Sequence, residues 1–317
     1  MKRIAILDDY QNAALKAADW GSLTACQVTV FDFYIPDAGQ LTQVLQPFDV
    51  IVAMRERTPF PASLINQLPS LKLLVTAGMR NLSIDMDAAR DVGIVVCGTE
   101  MLAYPAFEHA WGLILALTKQ IAKEDHVMKT GGWQQGYGVG LNGKTLGVLG
   151  LGKLGAQVAR VGQAFGMNVI AWSENLSDER AAEVGVQRVS KDQLFSTSDV
   201  ISIHLVLSER TRGLVGEAEL AGMKPTGYLI NTSRGPIIDE AALLGALTSN
   251  AIAGAGLDVF EVEPLPKDHP LRKLENVVLT GHTGFVVREL HELVYGQAVE
   301  DIGAWISGAP LRVLNEA

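Results

Sequence analysis

Three short polar segments follow apolar runs of strand length and carry side chains suited to acid–base chemistry. They are residues 231–235 (Asn-Thr-Ser-Arg-Gly), 258–264 (Asp-Val-Phe-Glu-Val-Glu-Pro) and 281–284 (Gly-His-Thr-Gly). Ligands of open α/β sheets bind beyond the carboxyl ends of the strands. An arginine can clamp a substrate there, a histidine can carry a proton, and a glutamate can orient the histidine. The segments therefore predict a site that uses one residue of each type.

A glycine-rich turn at residues 150–155 (Gly-Leu-Gly-Lys-Leu-Gly) is the second chemical feature. An apolar run at 145–149 precedes it, and a stretch with helical spacing, 156–165, follows it. In a dinucleotide site the first glycine makes the tight turn, the second lets backbone approach a pyrophosphate, and the third lets helix and strand pack closely. Free N–H groups at the helix start then face the phosphates. Residues 138–143 fit the same pattern but open no helix, so we interpret them as an approach loop.

Composition and charge exclude several functional classes. The 317 residues are 48% hydrophobic and 19% charged, which suits two globular domains of about 150 residues each. A net charge of −9 argues against a general nucleic-acid surface, because phosphate contacts need a basic face. The apolar run behind Met1 is too short for an export signal, and no apolar helix approaches the roughly 20 residues that span a membrane. Cys26 and Cys97 match no disulfide or metal pattern, so we expect free thiols, a cytoplasmic protein and no metal.

Apolar runs of strand length alternate with helical stretches in both halves of the chain. In the first half they lie at residues 4–7, 28–31, 50–54, 71–76 and 94–96, and in the second at 147–149, 169–172, 200–203, 227–230, 254–257 and 277–279. This alternation is typical of parallel sheets covered by helices on both faces. The second half has a glycine turn after its first strand and is expected to be the six-stranded dinucleotide-binding fold. The first half has Asp8-Asp9-Tyr10 at that place and is not expected to bind the nucleotide.

The regions outside the sheets predict the domain boundary. Residues 106–129 have the pattern of one long helix that ends at glycines 131 and 132, and we place a boundary near Thr99. A last helix is predicted at 288–306. The tail at 310–315 is expected to return to the first domain.

The ordered motifs resemble the D-isomer-specific 2-hydroxyacid dehydrogenases, the family that includes 3-phosphoglycerate dehydrogenase and glyoxylate/hydroxypyruvate reductase. The resemblance covers almost the whole chain and includes His204, which follows the strand at 200–203. It implies an α/β fold of two doubly wound parallel-sheet domains with a cleft between them. A Rossmann NAD-binding domain would span 100–285, and a flavodoxin-like substrate domain would combine 1–99 with 286–317.

The resemblance also implies a hydride-transfer site for a 2-oxoacid and its D-2-hydroxyacid. Arg234 would bind the substrate carboxylate and keto oxygen, because a guanidinium fork suits a planar 2-oxoacid. His282 would donate the proton to the keto oxygen and take it back in the reverse direction. Glu263 would accept a hydrogen bond from the other imidazole nitrogen and favour the protonated ring. His109, His126, His269 and His291 have no comparable setting and are interpreted as ordinary.

Residues of the second half would bind NAD, with NADP as the open alternative. The residue that distinguishes the two cofactors follows the strand at 169–172, where many family members have Asp and this chain has Ser173-Glu174-Asn175. Glu174 could reach the ribose diol and would repel a 2′-phosphate, which favours NAD. The residues expected to contact the cofactor are Gly150, Gly152, Lys153, Leu154, Gly155, Ser173, Glu174, His204, Thr232, Ser233 and Asp258.

The substrate loop departs from the family pattern. Residues 76–81 lie where the family has Gly-x-Gly, but Arg80 replaces the second glycine after Gly78 and Met79. Arg55 and Arg57 belong to a second loop that resembles one facing the substrate. Arg55, Gly78, Met79 and Arg80 are therefore the expected substrate-binding residues. Together with Arg57, the arginines would suit a second anionic group on the substrate, while solvated surface charge is the alternative.

Two alternatives to this function stay open from sequence. The same family contains corepressor scaffolds that sense NAD(H) and retain similar catalytic residues, and within the enzyme class the chain could be a 3-phosphoglycerate dehydrogenase. The expected partner is a small 2-oxo or 2-hydroxy acid, with no nucleic acid and no membrane. A homodimer through the second domain is what the resemblance implies.

Overall fold

The computed structural model describes residues 1–316 and divides the chain into two compact units. Unit 1 comprises Met1–Leu102 together with the C-terminal segment from Val286 onward, and unit 2 is Ala103–Phe285. Each unit contains one sheet in which every pairing is parallel. The prediction of two parallel-sheet α/β domains is confirmed.

In the described part of unit 1 the sheet has five strands in the order β2-β1-β3-β4-β5. They are β1 (Lys2–Ile6), β2 (Cys26–Val30), β3 (Val50–Ala53), β4 (Leu73–Thr76) and β5 (Val95–Gly98). Every residue of β3 and β4 is buried, as expected for central parallel strands that are covered on both faces. β2 lies on one side of β1, and β3 and the later strands lie on the other, so the order in which strands are added reverses at β1. The loops after β1 and β3 therefore flank the position where such sheets bind ligands.

Helices connect the strands of the unit 1 sheet, and aspartate caps start two of them. The first four are α1 (Ala14–Ala17), α2 (Ala38–Leu45), α3 (Ala62–Ile65) and α4 (Met86–Asp91). Asp37 accepts from the Gln40 amide at the start of α2, and Asp85 accepts from the Ala88 amide at the start of α4. An acceptor at this position satisfies one of the unpaired amides of the first turn.

The sheet of unit 2 has seven strands among the described residues, in the order β12-β11-β10-β9-β6-β7-β8. They are β6 (Thr145–Leu149), β7 (Asn168–Trp172), β8 (Gln187–Arg188), β9 (Val200–Ile203), β10 (Tyr228–Asn231), β11 (Gly254–Leu257) and β12 (Val277–Leu279). The six-strand prediction missed β8, a two-residue edge strand whose side chains are exposed. It has no apolar run because it buries neither face.

Along the chain, the helices of unit 2 precede this sheet or connect its strands. They are α5 (Pro105–Thr118), α6 (Ile121–Lys129), α7 (Lys153–Ala164), α8 (Asp178–Val184), α9 (Lys191–Thr197), α10 (Glu217–Gly222) and α11 (Glu240–Thr248). The prediction of one long helix over residues 106–129 is wrong. Gln120 has a left-handed φ of 55°, which ends α5 and reorients the chain into α6. Neither Gly nor Pro marks this break in the sequence.

The chain returns to unit 1 with α12 (Arg288–Ile306), at the predicted bounds. After α12 the tail pairs with β5 through an antiparallel bridge between Val313 and Cys97. Asn315 accepts from the Val96 amide at 2.9 Å and donates to the Ile94 carbonyl at 2.8 Å. Within residues 1–316, no helix combines the length and the apolar character needed to cross a membrane.

Candidate active site

The glycine turn after β6 has the shape that a pyrophosphate requires. Gly150 has φ of 105°, a left-handed conformation that favours glycine. A Cβ at Gly155 would overlap the Gly150 carbonyl oxygen, so the third glycine allows α7 to pack against the turn. Gly152, the N-cap of α7, has no described atom within 4 Å of the place a Cβ would occupy. Nor does a described side chain cap α7, so the amides of its first turn have no described side-chain acceptor. These residues fit a dinucleotide phosphate.

The end of β7 favours a ribose diol over a 2′-phosphate. The Gly150 amide donates to the Trp172 carbonyl at 2.8 Å, so the turn adjoins Ser173 and the exposed Glu174. The nearby arginines already contact carboxylates: Arg180 lies 2.9 Å from Glu183 and Arg188 lies 3.4 Å from Asp178. This arrangement agrees with the expected NAD.

His204 follows β9 and lies beside the glycine turn. A Cβ at Gly150 would contact the His204 carbonyl, and His204 Nε2 lies 2.8 Å from Ser202 Oγ. Burial lowers the pKa of His204 to about 4, so the imidazole is neutral at physiological pH. A neutral ring is suited to hydrogen bonding and contact, and cannot act as a cation there.

The segment at 231–235 holds Arg234 through its own hydrogen bonds. Buried Asn231 accepts from the Ser233 amide at 3.0 Å and donates to the Arg234 carbonyl at 2.9 Å. Ser233 Oγ donates to the Ile203 carbonyl at 2.7 Å, and Arg234 Nη1 donates to the Ser233 carbonyl at 2.8 Å. Thr232 is half-buried within this turn. The result is a fixed position for the Arg234 backbone at the carboxyl end of β10.

A close histidine–carboxylate pair lies at the same edge of the sheet. His282 Nδ1 is 2.6 Å from Glu263 Oε2, and Glu263 Oε1 accepts from the Phe260 amide at 2.9 Å. Glu263 is therefore held by the segment that it follows. Phe285 packs edge-on against the His282 ring, with 5.7 Å between centroids. With Nδ1 turned to Glu263, Nε2 is the nitrogen that can serve a substrate.

Gly235 brings the arginine and glutamate segments together. A Cβ at Gly235 would overlap the backbone of Phe260, so only glycine permits this approach. Phe260 in turn binds Glu263 through its amide. The structure thus gathers the three predicted catalytic segments at the carboxyl ends of the neighbouring strands β10, β11 and β12.

Asp258 is buried under the histidine turn and organises it. Its carbonyl accepts from the His282 amide at 2.7 Å, and its carboxylate accepts from the amides of Thr283 and Gly284, each at 2.8 Å. Burial alone would raise the pKa of this carboxyl, but hydrogen bonds from His109, Thr280 and the Thr283 amide hold the pKa below its usual value. Asp258 is expected to be ionised. Sequence analysis predicted Asp258 as a cofactor contact and did not predict its hydrogen bonds to the histidine turn.

His109 is a residue that sequence reasoning missed. Its Nε2 lies 2.8 Å from Thr280 Oγ1 and 3.3 Å from Asp258 Oδ1. It lies on α5, far from both partners in sequence. No local motif marks it, and the interpretation of His109 as ordinary did not include this contact.

Unit 1 brings Arg55 and Gly78 together. Gly78, after β4, has φ of 96°, and its amide donates to Thr99 Oγ1 at 3.2 Å. A Cβ there would lie 2.8 Å from Arg55 Nη1. Arg55, after β3, also has a left-handed φ, 52°, and contacts Glu56 at 3.4 Å. The side chains of Met79 and Arg80 are exposed.

Arg57 points to a different place from the substrate loop. Its Nη1 donates to the Asp8 carbonyl at 2.8 Å, and its guanidinium lies 4.6 Å from the centre of the Tyr10 ring. Asp8 Oδ2 accepts from Thr58 Oγ1 at 2.7 Å. Arg57 thus belongs to a buried polar cluster at the ends of β1 and β3. Among residues 1–316, no group of three or more His, Cys, Asp or Glu side chains is arranged to hold a metal ion.

Comparison with known proteins shows the family to which the chain belongs. Residues 111–284 match the family described as D-isomer specific 2-hydroxyacid dehydrogenase, NAD binding domain. The chain belongs to the D-isomer-specific 2-hydroxyacid dehydrogenase family. It is accordingly an NAD-dependent oxidoreductase of the D-2-hydroxyacid class, and the expected family, fold class and cofactor are confirmed.

The relatives of this D-2-hydroxyacid dehydrogenase include glyoxylate reductases and D-3-phosphoglycerate dehydrogenases. A glyoxylate reductase of Aeropyrum pernix is 40% identical over 263 residues, which cover 80% of this chain and 78% of the relative. A D-3-phosphoglycerate dehydrogenase of Archaeoglobus fulgidus is 38% identical over 278 residues, covering 86% of this chain and 52% of the relative. The chain thus spans about half the length of that relative. A phosphoglycerate oxidoreductase from Vibrio cholerae has a crystal structure with a TM-score of 0.92, 36% identity, and coverage of 98% of this chain and 100% of the other.

Proposed function

We propose that the protein reduces a small 2-oxoacid to the D-2-hydroxyacid with NADH, using Arg234, Glu263 and His282. The 2.6 Å contact between His282 Nδ1 and Glu263 Oε2 is the observation that carries the proposal, because it leaves Nε2 as the proton donor. Arg234 would hold the substrate carboxylate and the keto oxygen in its guanidinium fork. The bound dinucleotide supplies hydride to the carbonyl carbon.

The order of proton events follows from the residues present. The protonated His282 donates from Nε2 to the keto oxygen as the carbonyl carbon is reduced, and Glu263 stabilises the imidazolium until that moment. Arg234 stabilises the negative charge that develops on the oxygen. In the oxidative direction His282 takes the proton back.

For the cofactor we propose contacts from the turn at 150–155 and from Ser173, Glu174, His204, Thr232 and Ser233. The predicted contact Asp258 is buried and accepts from the amides of Thr283 and Gly284, so we propose that it supports the site from beneath. Open space around Gly152 and the uncapped α7 amides support the phosphate contacts within the described residues. The exposed Glu174 supports NADH over NADPH, since a carboxylate would repel a 2′-phosphate.

For the substrate we propose additional contacts from Arg55, Gly78, Met79 and Arg80. We expect a monocarboxylic acid such as glyoxylate or hydroxypyruvate to be preferred to a phosphorylated one. Arg55 contacts the Glu56 carboxylate and Arg57 donates to the Asp8 carbonyl, so each guanidinium group already has a partner within unit 1. The glyoxylate reductase name of the Aeropyrum pernix relative is consistent with this choice.

The test is a panel of NADH and NADPH, each combined with glyoxylate, hydroxypyruvate, phosphohydroxypyruvate, pyruvate and branched 2-oxoacids. We expect the highest kcat/KM with NADH and glyoxylate or hydroxypyruvate. A clear preference for phosphohydroxypyruvate would instead favour a 3-phosphoglycerate dehydrogenase. Tight NADH binding without turnover of any acid would favour the NAD(H)-sensing scaffold.

We also propose a cytoplasmic homodimer formed through unit 2. The side chains of Ile121 and Met128 on α6, and of Trp133 and Tyr137 beyond it, are 53%, 52%, 71% and 92% exposed. Exposed apolar side chains in such a group are typical of an interface. Two free thiols, Cys26 and Cys97, support a reducing compartment. Light scattering of the wild type and of Trp133→Ser with Tyr137→Ser tests the dimer, since the double variant should be monomeric.

A further inference from the structure

A second histidine–carboxylate contact lies beneath the proposed catalytic pair. Asp258 is 1% exposed, and the hydrogen bonds that reach its carboxylate come from Thr280, Thr283, Gly284 and His109. An ionised carboxylate at this depth is costly unless several donors surround it. The donors from Thr280, Thr283, Gly284 and His109 therefore stabilise the ionised Asp258 carboxylate in its buried position.

The hydrogen-bond network determines which His109 nitrogen carries a proton. Thr280 Oγ1 is 2.6 Å from Asp258 Oδ1 and 2.8 Å from His109 Nε2. An ionised carboxylate only accepts, so the single hydroxyl proton of Thr280 must be donated to Asp258. Thr280 then accepts from His109, which requires a proton on Nε2. The chain of donors runs from His109 through Thr280 to Asp258.

Hydrogen bonds connect Asp258 to the turn that carries His282. The amides of His282, Thr283 and Gly284 all donate to Asp258, and His282 has a left-handed φ of 53°. A left-handed conformation is unfavourable for a residue other than glycine, so surrounding contacts must maintain it. Within those contacts the His282 ring keeps its 2.6 Å bond to Glu263.

Packing fixes His109 against the same turn. A Cβ at Gly284 would lie 2.9 Å from Asp258 Oδ2 and 3.5 Å from His109 Cδ2, so the turn rests on the imidazole. His109 lies in the first half of α5, a helix of 14 residues that packs against β10, β11 and β12. The helix thus gives the imidazole a rigid base.

We propose that His109 is a positioning residue. Through Thr280 and Asp258 it holds the turn that carries His282, and it thereby fixes the orientation of the His282 imidazole. His109 has no described contact with His282 or Glu263 and is not itself a proton donor to the substrate. This inference rests on the proposed function, because it assigns His109 a task in the reaction of His282.

The experiment compares His109→Leu, which removes the donor, with His109→Gln, whose side-chain amide can donate from the place of Nε2. His269→Leu is the matched control, because His269 Nε2 contacts the Glu240 carboxylate at 3.0 Å in the same unit and binds none of the Asp258 segment in the described structure. For each variant we would measure kcat and KM for the 2-oxoacid, the Kd of NADH and the Tm.

We expect His109→Leu to lower kcat at least about tenfold while the Kd of NADH changes by less than about threefold, because misaligned groups lose rate more than cofactor binding. His109→Gln should recover most of the lost kcat. His269→Leu should lower Tm but leave kcat unchanged. A wild-type kcat in His109→Leu, or equal losses in His109→Leu and His109→Gln, would overturn the proposal.

A crystal structure of His109→Leu separates this proposal from the proposed function. If the wild type reduced no 2-oxoacid, the proposed reaction would fail, but the positioning role would still be tested by the turn at residues 281–284. Displacement of that turn, with a longer His282–Glu263 distance, supports the role of His109. An unchanged turn contradicts it.

Discussion

The turns after the first strand of each sheet share a left-handed backbone conformation but differ in their side chains. A left-handed residue follows shortly after both β1 and β6: Asp8 with φ of 58° and Gly150 with φ of 105°. In unit 1 the Asp8 carboxylate binds Thr58 and Tyr10 and fills the turn. In unit 2 no described atom lies within 4 Å of the place a Cβ would occupy at Gly152, so this part of the turn is open. The backbone conformation alone therefore does not make a phosphate site.

The helices that follow these turns differ in the same sense. Asp9 in unit 1 accepts from the amides of Ala13 and Ala14 at 3.0 and 2.9 Å, so a carboxylate already occupies the start of α1. In unit 2, no side chain of the described structure caps α7. An uncapped helix start attracts an anion, whereas a capped one is already satisfied. The comparison explains why the two doubly wound units would have different ligands.

The largest predicted effect is at the proposed catalytic edge of unit 2. Arg234→Ala should lower kcat/KM for the 2-oxoacid by about 1,000-fold or more, because charge stabilisation of the reacting oxygen and substrate orientation are lost together. The Kd of NADH should stay nearly unchanged, and Arg212→Ala, which removes an exposed partner of Glu261, should have no effect. Steady-state rates with an NADH titration measure both. Equal losses of binding and turnover would contradict the clamp.

The glycine turn offers a direct test of the difference between the units. Gly152→Ala should weaken NADH binding by about tenfold or more, because the methyl group would enter the pyrophosphate position. The φ of Gly152 is −79° and no described atom lies near the new Cβ, so the fold should tolerate alanine. Gly140→Ala, in the second G-x-G-x-x-G match, has similar space and should bind NADH normally. Equal affinities in the two variants would remove the turn from the cofactor site.

Glu263→Gln should reduce kcat by about tenfold. Gln can still accept from His282 Nδ1, but it lacks the negative charge that stabilises the imidazolium needed for reduction. Steady-state reduction of the 2-oxoacid by NADH measures the effect. Glu261→Gln is the control, since Glu261 contacts Arg212 at 3.5 Å. A wild-type kcat in Glu263→Gln argues against the pairing.

The smallest effect is expected in unit 1. Thr58→Val should lower the free energy of unfolding by about 1–2 kcal/mol at neutral pH, because buried Asp8 loses a donor. Burial raises the pKa of Asp8 despite hydrogen bonds from Thr58 and Tyr10 and the charge of Arg57. The cost arises from the ionised carboxylate, so it should be present above this raised pKa and should shrink as pH falls through it.

Denaturant unfolding at several pH values measures the Thr58→Val effect. Thr42→Val is the matched control, because Thr42 donates to the Ala38 carbonyl within α2 and contacts no carboxylate in the described structure. Its cost should not vary with pH. Loss of NADH affinity in Thr58→Val would show that the turn of unit 1 also binds the cofactor. That result would contradict the difference in ligand binding between the two turns.

Sequence patterns predicted the features that depend on local chemistry. Central parallel strands are largely apolar, so β3 and β9 were predicted within about a residue, and the turn at Gly150 was recognised by its strand and helix context. The edge strand β8 and the helix break at Gln120 have no such signal. The contact between His109 and Asp258 depends on tertiary packing and could only be found in the structure.

The most direct test of the account is to follow hydroxypyruvate reduction by the wild type and to identify the enantiomer of the product. The account predicts that NADH is consumed in amounts equal to the D-2-hydroxyacid formed, and that His282→Asn binds NADH but forms product at least about 100 times more slowly. Formation of the L enantiomer, or undiminished turnover by His282→Asn, would contradict the assignment of the site to Arg234, Glu263 and His282.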